Sequence, residues 1–205
     1  MMPRIAAIVL AAGESRRWGA DNKLLAPVEG TPMILRTVRA VLAARARPVV
    51  VVTGHEAGTV ADLLAGLPVS IREAPNYAAG LSASLKVGIS AIPDDCDGVL
   101  ICLGDMPWVK AATLDRLADA FDPAGGWAAA VPVHGGEWGN PVLLGRTLFA
   151  MIATLTGDRG ARALLASARD RVLEIPVDDP GVLRDVDQPG ALVYPLADGI
   201  DRSRP

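Results

Sequence analysis

The sequence predicts one α/β domain: a mostly parallel, Rossmann-like sheet with helices on both faces. Three observations carry that reading. Short, unbroken apolar runs recur along the chain, as strands buried on both faces require. Segments with apolar residues at helical spacing separate those runs, the alternation expected of parallel strands joined by crossover helices. The chain has 205 residues, of which 51% are hydrophobic, enough for a single sizeable core.

Residues 5–10 form the first apolar run. Thr31 and Pro32 have the chemistry of a helix N-cap and a first helical residue. Ile34, Leu35, Val38, Val41 and Leu42 then follow at helical spacing. Residues 49–53 read as a second buried strand, Val60, Leu63 and Leu64 as a second helix, and residues 69–73 as a strand. Leu81, Leu85, Ile89 and Ile92 make one helical face, and residues 99–103 another buried strand. Leu114, Leu117, Ala118 and Phe121 mark a helix that begins near Lys110. Residues 128–133 and 142–144 read as strands around a Gly-rich turn, 162–168 as a helix and 172–177 as a strand. The domain is assigned to residues 1–197, and residues 198–205 to a polar tail prone to fraying.

A net charge of −3 with no basic block offers nothing to nucleic acid or an anionic membrane. No apolar run approaches the ~20 residues of a membrane span, and the first residues lack the layout of a signal peptide. The cytoplasm is the expected location. Cys96 and Cys102 match no zinc or redox spacing and read as core thiols. His55 and His134 read as loop residues without a catalytic role.

Ligands of open α/β sheets bind beyond the carboxyl ends of the strands, so the residues after each strand carry the functional signal. After the first comes Leu10-Ala11-Ala12-Gly13, then Arg17 and Lys23. Small residues let the backbone N–H groups approach phosphate oxygens. A forked Arg and a point-charge Lys complement a polyphosphate. The loop is neither a P-loop, since Ala20 follows Gly19, nor a G-x-G-x-x-G fingerprint. A solvated basic turn would have the same composition. Asn76-Tyr77-Ala78-Ala79-Gly80-Leu81-Ser82-Ala83-Ser84-Leu85 follows another strand; its serines suit either a helix cap or a polar ligand. Asp105, in Leu103-Gly104-Asp105-Met106-Pro107, ends a buried strand and offers the hard oxygen that Mg²⁺ prefers. Asp185-Val186-Asp187-Gln188-Pro189 is a second acidic element, equally readable as a solvated turn.

Residues 10–23 resemble the L-A-A-G-x-S-x-R-M-G-x-x-K signature of the molybdenum cofactor nucleotidyltransferases, the MobA-like NTP transferase family. The likeness is greatest to the cytidylyltransferase branch and extends over nearly the whole chain. It implies a fold of the nucleotide-diphospho-sugar transferase type. It also implies transfer of CMP from CTP to the phosphate of a molybdopterin-type cofactor, with Mg²⁺ as cofactor and release of pyrophosphate. Arg17, Lys23 and Asp105 would be catalytic. Leu10, Ala11, Ala12, Gly13, Lys23, Gly80, Ser82 and Ser84 would bind the nucleotide. Asp105 and Asp187 would hold the metal, and Asn140 and Arg162 the acceptor. CTP and a molybdopterin-type substrate would be its small-molecule partners, and a molybdoenzyme or its chaperone a protein partner.

Ala12 carries the cytidine preference, because guanylyltransferase relatives have L-A-G-G there and the added methyl narrows the base pocket. The chain departs from the family pattern at Trp18, where Met is usual and a change of packing is expected. It departs again at Gln188, where Thr is usual, at Gly190, where an acidic residue is common, and at Asn140, where His often stands. Two other functions stay open. The acceptor would be a sugar or polyol phosphate in one, and the protein a non-catalytic nucleotide or cofactor carrier for a molybdoenzyme in the other.

Overall fold

The computed structural model describes residues 3–19 and 21–192. The expected tail at 198–205, and the boundary before it, lie outside these residues.

The first strand, β1 (Ile5–Ala11), is buried along its whole length. Its side chains alternate between two apolar layers: Ile5, Ala7, Val9 and Ala11 face one, Ala6, Ile8 and Leu10 the other. A period of two across a strand covered on both faces produces an unbroken apolar run instead of an alternating one. A short hairpin follows, β2 (Pro27–Val28) with β3 (Thr31–Pro32). Its turn has positive φ at both Glu29 and Gly30, the geometry that matches strand twist in a tight hairpin. Thr31 and Pro32 therefore belong to a strand. The expected cap moves one residue on, with Pro32 at the N-cap of α1 (Met33–Ala43).

The sheet is built by β4 (Val49–Thr53), β5 (Ser70–Glu73), β6 (Gly98–Leu103), β7 (Ala129–His134), β9 (Val142–Gly145) and β10 (Val172–Pro176) around β1. Its order is β10-β7-β9-β6-β1-β4-β5, with the two-residue β8 (Glu137–Trp138) on the flank of β7. The β6-β1-β4-β5 block is parallel, β10 pairs parallel with β7, and β9 runs antiparallel between β6 and β7. This is the single, mostly parallel α/β domain that the sequence predicts.

Helix α1 and helix α4 (Ala111–Ala120) share one layer through Ile34, Val38, Val41, Leu114 and Leu117, together with Val60 of α2 (Ala57–Leu63). Leu85 of α3 (Leu81–Ser90), Ile152 of α5 (Phe149–Ile152) and Leu164 of α6 (Ala161–Ser167) fill the other. Ile92 lies beyond α3 but still joins this core. Gly88 lets α3 settle on the sheet: a Cβ there would come within 2.9 Å of Ile8 Cγ2. Each fully buried aliphatic side chain contributes about 1.5–3 kcal/mol, so the two layers fix the strand order and bring the ends of β1 and β6 together.

Candidate active site

The carboxyl ends of β1 and β6 are adjacent, with Leu10 registered against Leu103. Gly104 turns the chain there. Its N–H donates to Leu10 O at 2.9 Å. A Cβ on Gly104 would fall 2.9 Å from that same oxygen and close to Ile34 and Leu24, so only glycine fits without displacement. Thr37 Oγ lies 3.0 Å from Gly104 O and 3.2 Å from Met33 O, tying the turn to α1. Asp105 follows at this fixed corner.

The loop after β1 places Lys23 opposite. Ser15 adopts φ 55°, and its hydroxyl accepts the Lys23 N–H at 3.1 Å. Asn22 Oδ1 accepts the Leu24 N–H at 3.0 Å, and buried Leu24 anchors the turn. Lys23 Nζ then donates to Asp105 Oδ2 at 2.5 Å and to Asp187 Oδ1 at 3.3 Å. Arg17 donates to Asp187 Oδ2 at 2.6 Å from a more exposed position. Burial is the largest influence on the Lys23 ammonium and pulls its pKa down. The charges and hydrogen bonds of Asp105 and Asp187 together outweigh it and hold the group above its ordinary range.

The third acidic group is Asp185. One carboxylate oxygen from each of Asp105, Asp185 and Asp187 lies within 4.8 Å of the others. Three hard oxygens at this spacing suit a small divalent cation such as Mg²⁺, and three carboxylates against two cations leave one negative charge for such an ion to offset. The spacing of Asp185 from Asp187 was visible in the sequence, yet gave no reason to choose both.

Two contacts hold the acidic segment in place. The Val186 N–H donates to Asp105 O at 3.0 Å, and Trp18 Nε1 donates to Asp187 O at 3.1 Å. The indole at position 18 thus adds a hydrogen bond to the expected change of packing. Further back, buried Asp179 clasps the segment to α4: its carboxylate accepts from Lys110 N at 2.9 Å, Thr113 Oγ at 2.6 Å and Gly181 N at 3.1 Å. The N-cap of α4 is Lys110, with no side chain capping it, so Asp105 does not cap that helix.

A cavity of about 710 Å³ opens beside the charged cluster. Leu10, Ala11, Ala12, Gly13, Lys23, Gly80, Ser84, Asp105 and Asp187 line it, as do Glu14, Tyr77 and Asp158. Tyr77 rests on Gly54, where a Cβ would meet Tyr77 Cβ at 2.7 Å and Ala12 Cβ at 2.8 Å. Gly80 has φ 106° and presses against the next loop: a Cβ there would sit 2.6 Å from Gly157 O. That oxygen accepts the Ser82 N–H at 3.0 Å, and the same loop brings Asp158 to the wall. No motif singled out Tyr77, since its role comes from the glycine beneath it. Asp158 had no role assigned from the sequence.

Four other assigned residues stand elsewhere. Arg17 adjoins the cavity through Asp187. Ser82 is buried and off the cavity wall. Asn140 also lies off the wall; its N–H donates to Val182 O at 2.8 Å, supporting the strand of chain that leads to Asp185. Arg162 is exposed and donates to Trp138 O.

Small-residue backbone, paired cations and clustered carboxylates at the ends of parallel strands define a nucleotidyltransferase domain. Residues 7–172 match the family described as MobA-like NTP transferase domain, and the chain belongs to that family. Rv0371c from Mycobacterium tuberculosis superposes with a TM-score of 0.80 at 30% identity, over 93% of this chain and 96% of that one. The same protein is known in complex with manganese. A nucleotidyl transferase from Methanothermobacter thermautotrophicus, Mth528, gives 0.79 at 29% identity, over 92% and 94% of the two chains. Among curated proteins, bifunctional protein GlmU of Kineococcus radiotolerans is 38% identical over 129 residues, 62% of this chain. The chain spans about a quarter of that relative's length (26%). Among the described residues, no helix is long and apolar enough to cross a membrane.

Proposed function

We propose that the protein transfers CMP from CTP to the phosphate of a molybdopterin-type acceptor, with Mg²⁺ as cofactor. The observation that carries this reading is the convergence of Lys23, Asp105 and Asp187 on a cavity lined by Ala11, Ala12 and Gly13, with Arg17 and Asp185 adjoining Asp187. Backbone N–H groups of the loop at Ala12 and Gly13 receive the phosphates. Lys23 and Arg17 offset their charge, and Asp105, Asp187 and Asp185 hold the metal.

A phosphate monoester has a second pKa of ~6 and arrives largely as the dianion at neutral pH. Its oxygen forms the new bond to the α-phosphorus in line as the bond to the bridging oxygen breaks, and pyrophosphate departs. The chemistry requires positioning and charge stabilisation, with no dedicated base. Bound Mg²⁺ supplies charge stabilisation on the phosphate oxygens. The cytidine preference rests on Ala12, buried beside Gly54 and Tyr77, whose methyl takes space that a purine would need.

A sugar or polyol phosphate is the competing acceptor. Asn140 and Arg162 stand off the cavity wall, so neither selects between a pterin and a sugar there. A screen of the four nucleoside triphosphates with Mg²⁺ against molybdenum-loaded pterin and sugar phosphates, scored by product mass, decides between them. A CMP-pterin product supports the first reading. A nucleoside-diphosphate sugar supports the second, and nucleotide binding without any pyrophosphate release rejects both in favour of a carrier.

A further inference from the structure

The more enclosed of the two cations is engaged by two carboxylates. Lys23 Nζ contacts Asp105 Oδ2 at 2.5 Å and Asp187 Oδ1 at 3.3 Å. Both carboxylates belong to the three-aspartate cluster suited to a divalent ion. An ammonium held this closely blocks the Asp105 oxygen, because a metal bonded to it would be pressed against a second positive charge. Solvent does little to soften the conflict, with the Lys23 and Asp105 side chains only 15% and 18% exposed. Arg17 is 67% exposed and contacts Asp187 Oδ2, so it is better screened.

We infer that Lys23 holds the metal's seat in the free protein and gives it up when nucleotide phosphates offer its ammonium another partner. This rests on the nucleotidyltransferase reading above. Metal alone then binds weakly, and metal and nucleotide each tighten the other's binding, since such coupling is reciprocal. The lysine also neutralises the carboxylates while the site waits.

Mn²⁺ serves as the probe, with binding to the full chain followed by electron paramagnetic resonance in the absence of nucleotide. Lys23→Met should bind Mn²⁺ about 10-fold more tightly than the unsubstituted protein, and Asp105→Asn should abolish binding in both backgrounds. The gain should persist in about 0.5 M KCl, where charges not in contact are screened. Equal or weaker binding by Lys23→Met, or a gain that disappears in salt, overturns the inference while the effect of Asp105→Asn leaves the metal site standing. Binding indifferent to Asp105→Asn overturns the metal site and the inference together. A measurement on the unsubstituted protein guards against a misfolded variant: the ¹⁵N–¹H signal of the Lys23 ammonium should shift on saturation with Mg²⁺. An unmoved signal at saturation overturns the inference.

Discussion

Lys23 Nζ stands 2.5 Å from Asp105 Oδ2 although 82 positions separate the two residues. The contact joins the loop after β1 to the turn after β6, and it exists because those strands are neighbours in the sheet. Replacing Asp105 by alanine removes the carboxylate that holds Lys23 and that we propose as a metal ligand. Pyrophosphate release with CTP, Mg²⁺ and acceptor should fall by about 10²–10³-fold or more. Turnover near that of the unsubstituted protein would take Asp105 out of the chemistry.

Ala12→Gly should widen the base pocket. The preference for CTP over GTP, measured as a ratio of kcat/KM values, should drop by roughly 10-fold, in line with the small energy a single methyl controls. An unchanged ratio would show that Ala12 does not set the base.

Gly80→Ala places a side chain against Gly157 at a φ of 106°. The strained backbone should cost about 1–3 kcal/mol. In a chain of this size that lowers Tm by roughly 2–12 °C, readable by calorimetry. Nucleotide affinity should fall as well, because the displaced loop carries Asp158 on the cavity wall.

Trp18→Met restores the residue usual in the resembling family but loses the hydrogen bond to Asp187 O. Packing survives, so Tm should change by no more than about 3 °C, consistent with loss of one hydrogen bond worth roughly 1 kcal/mol. Metal affinity should weaken severalfold by Mn²⁺ titration, since Asp187 is then less firmly placed. Equal affinity in the two proteins would show that Arg17 and Val186 suffice to place it.

Burial pushes the Cys102 thiol from 9.0 up to about 12. Between these values the unfolded chain loses the proton and the folded one keeps it. The unfolded state then binds fewer protons, so stability falls as pH rises from 9 towards 12. The slope is at most about 1.4 kcal/mol per pH unit. Denaturant titrations should show a shallower decline over that window for Cys102→Ala, whatever its starting stability. Parallel declines would contradict the shift.

The sheet was legible because β1, β4 and β6 are covered on both faces, which leaves continuous apolar runs in the sequence. The hairpin was missed because Thr31 and Pro32 suit a helix start as well as a strand. The Glu29-Gly30 turn decided between them, since two residues of positive φ point the chain back on itself. At the site, charged and small residues stood out through their chemistry, and the structure gathers Lys23, Asp105 and Asp187. Tyr77, Asp158 and the partnership of Asp185 depend on which loops meet, a tertiary property with no local signature. Asn140 stands off the cavity wall, where its N–H donates to Val182 O, a placement that the motif around it does not reveal.

The clasp at Asp179 has a consequence for biosynthesis. Lys23 and Asp105 emerge from the ribosome long before Asp185 and Asp187, and the buried carboxylate that moors the last segment to α4 arrives just ahead of them. A growing chain therefore carries Lys23 and Asp105 before the pair of aspartates that completes the acidic cluster. A chain cut short before Asp185 would lack two of the three clustered carboxylates, and its affinity for a divalent ion should fall below that of the whole protein.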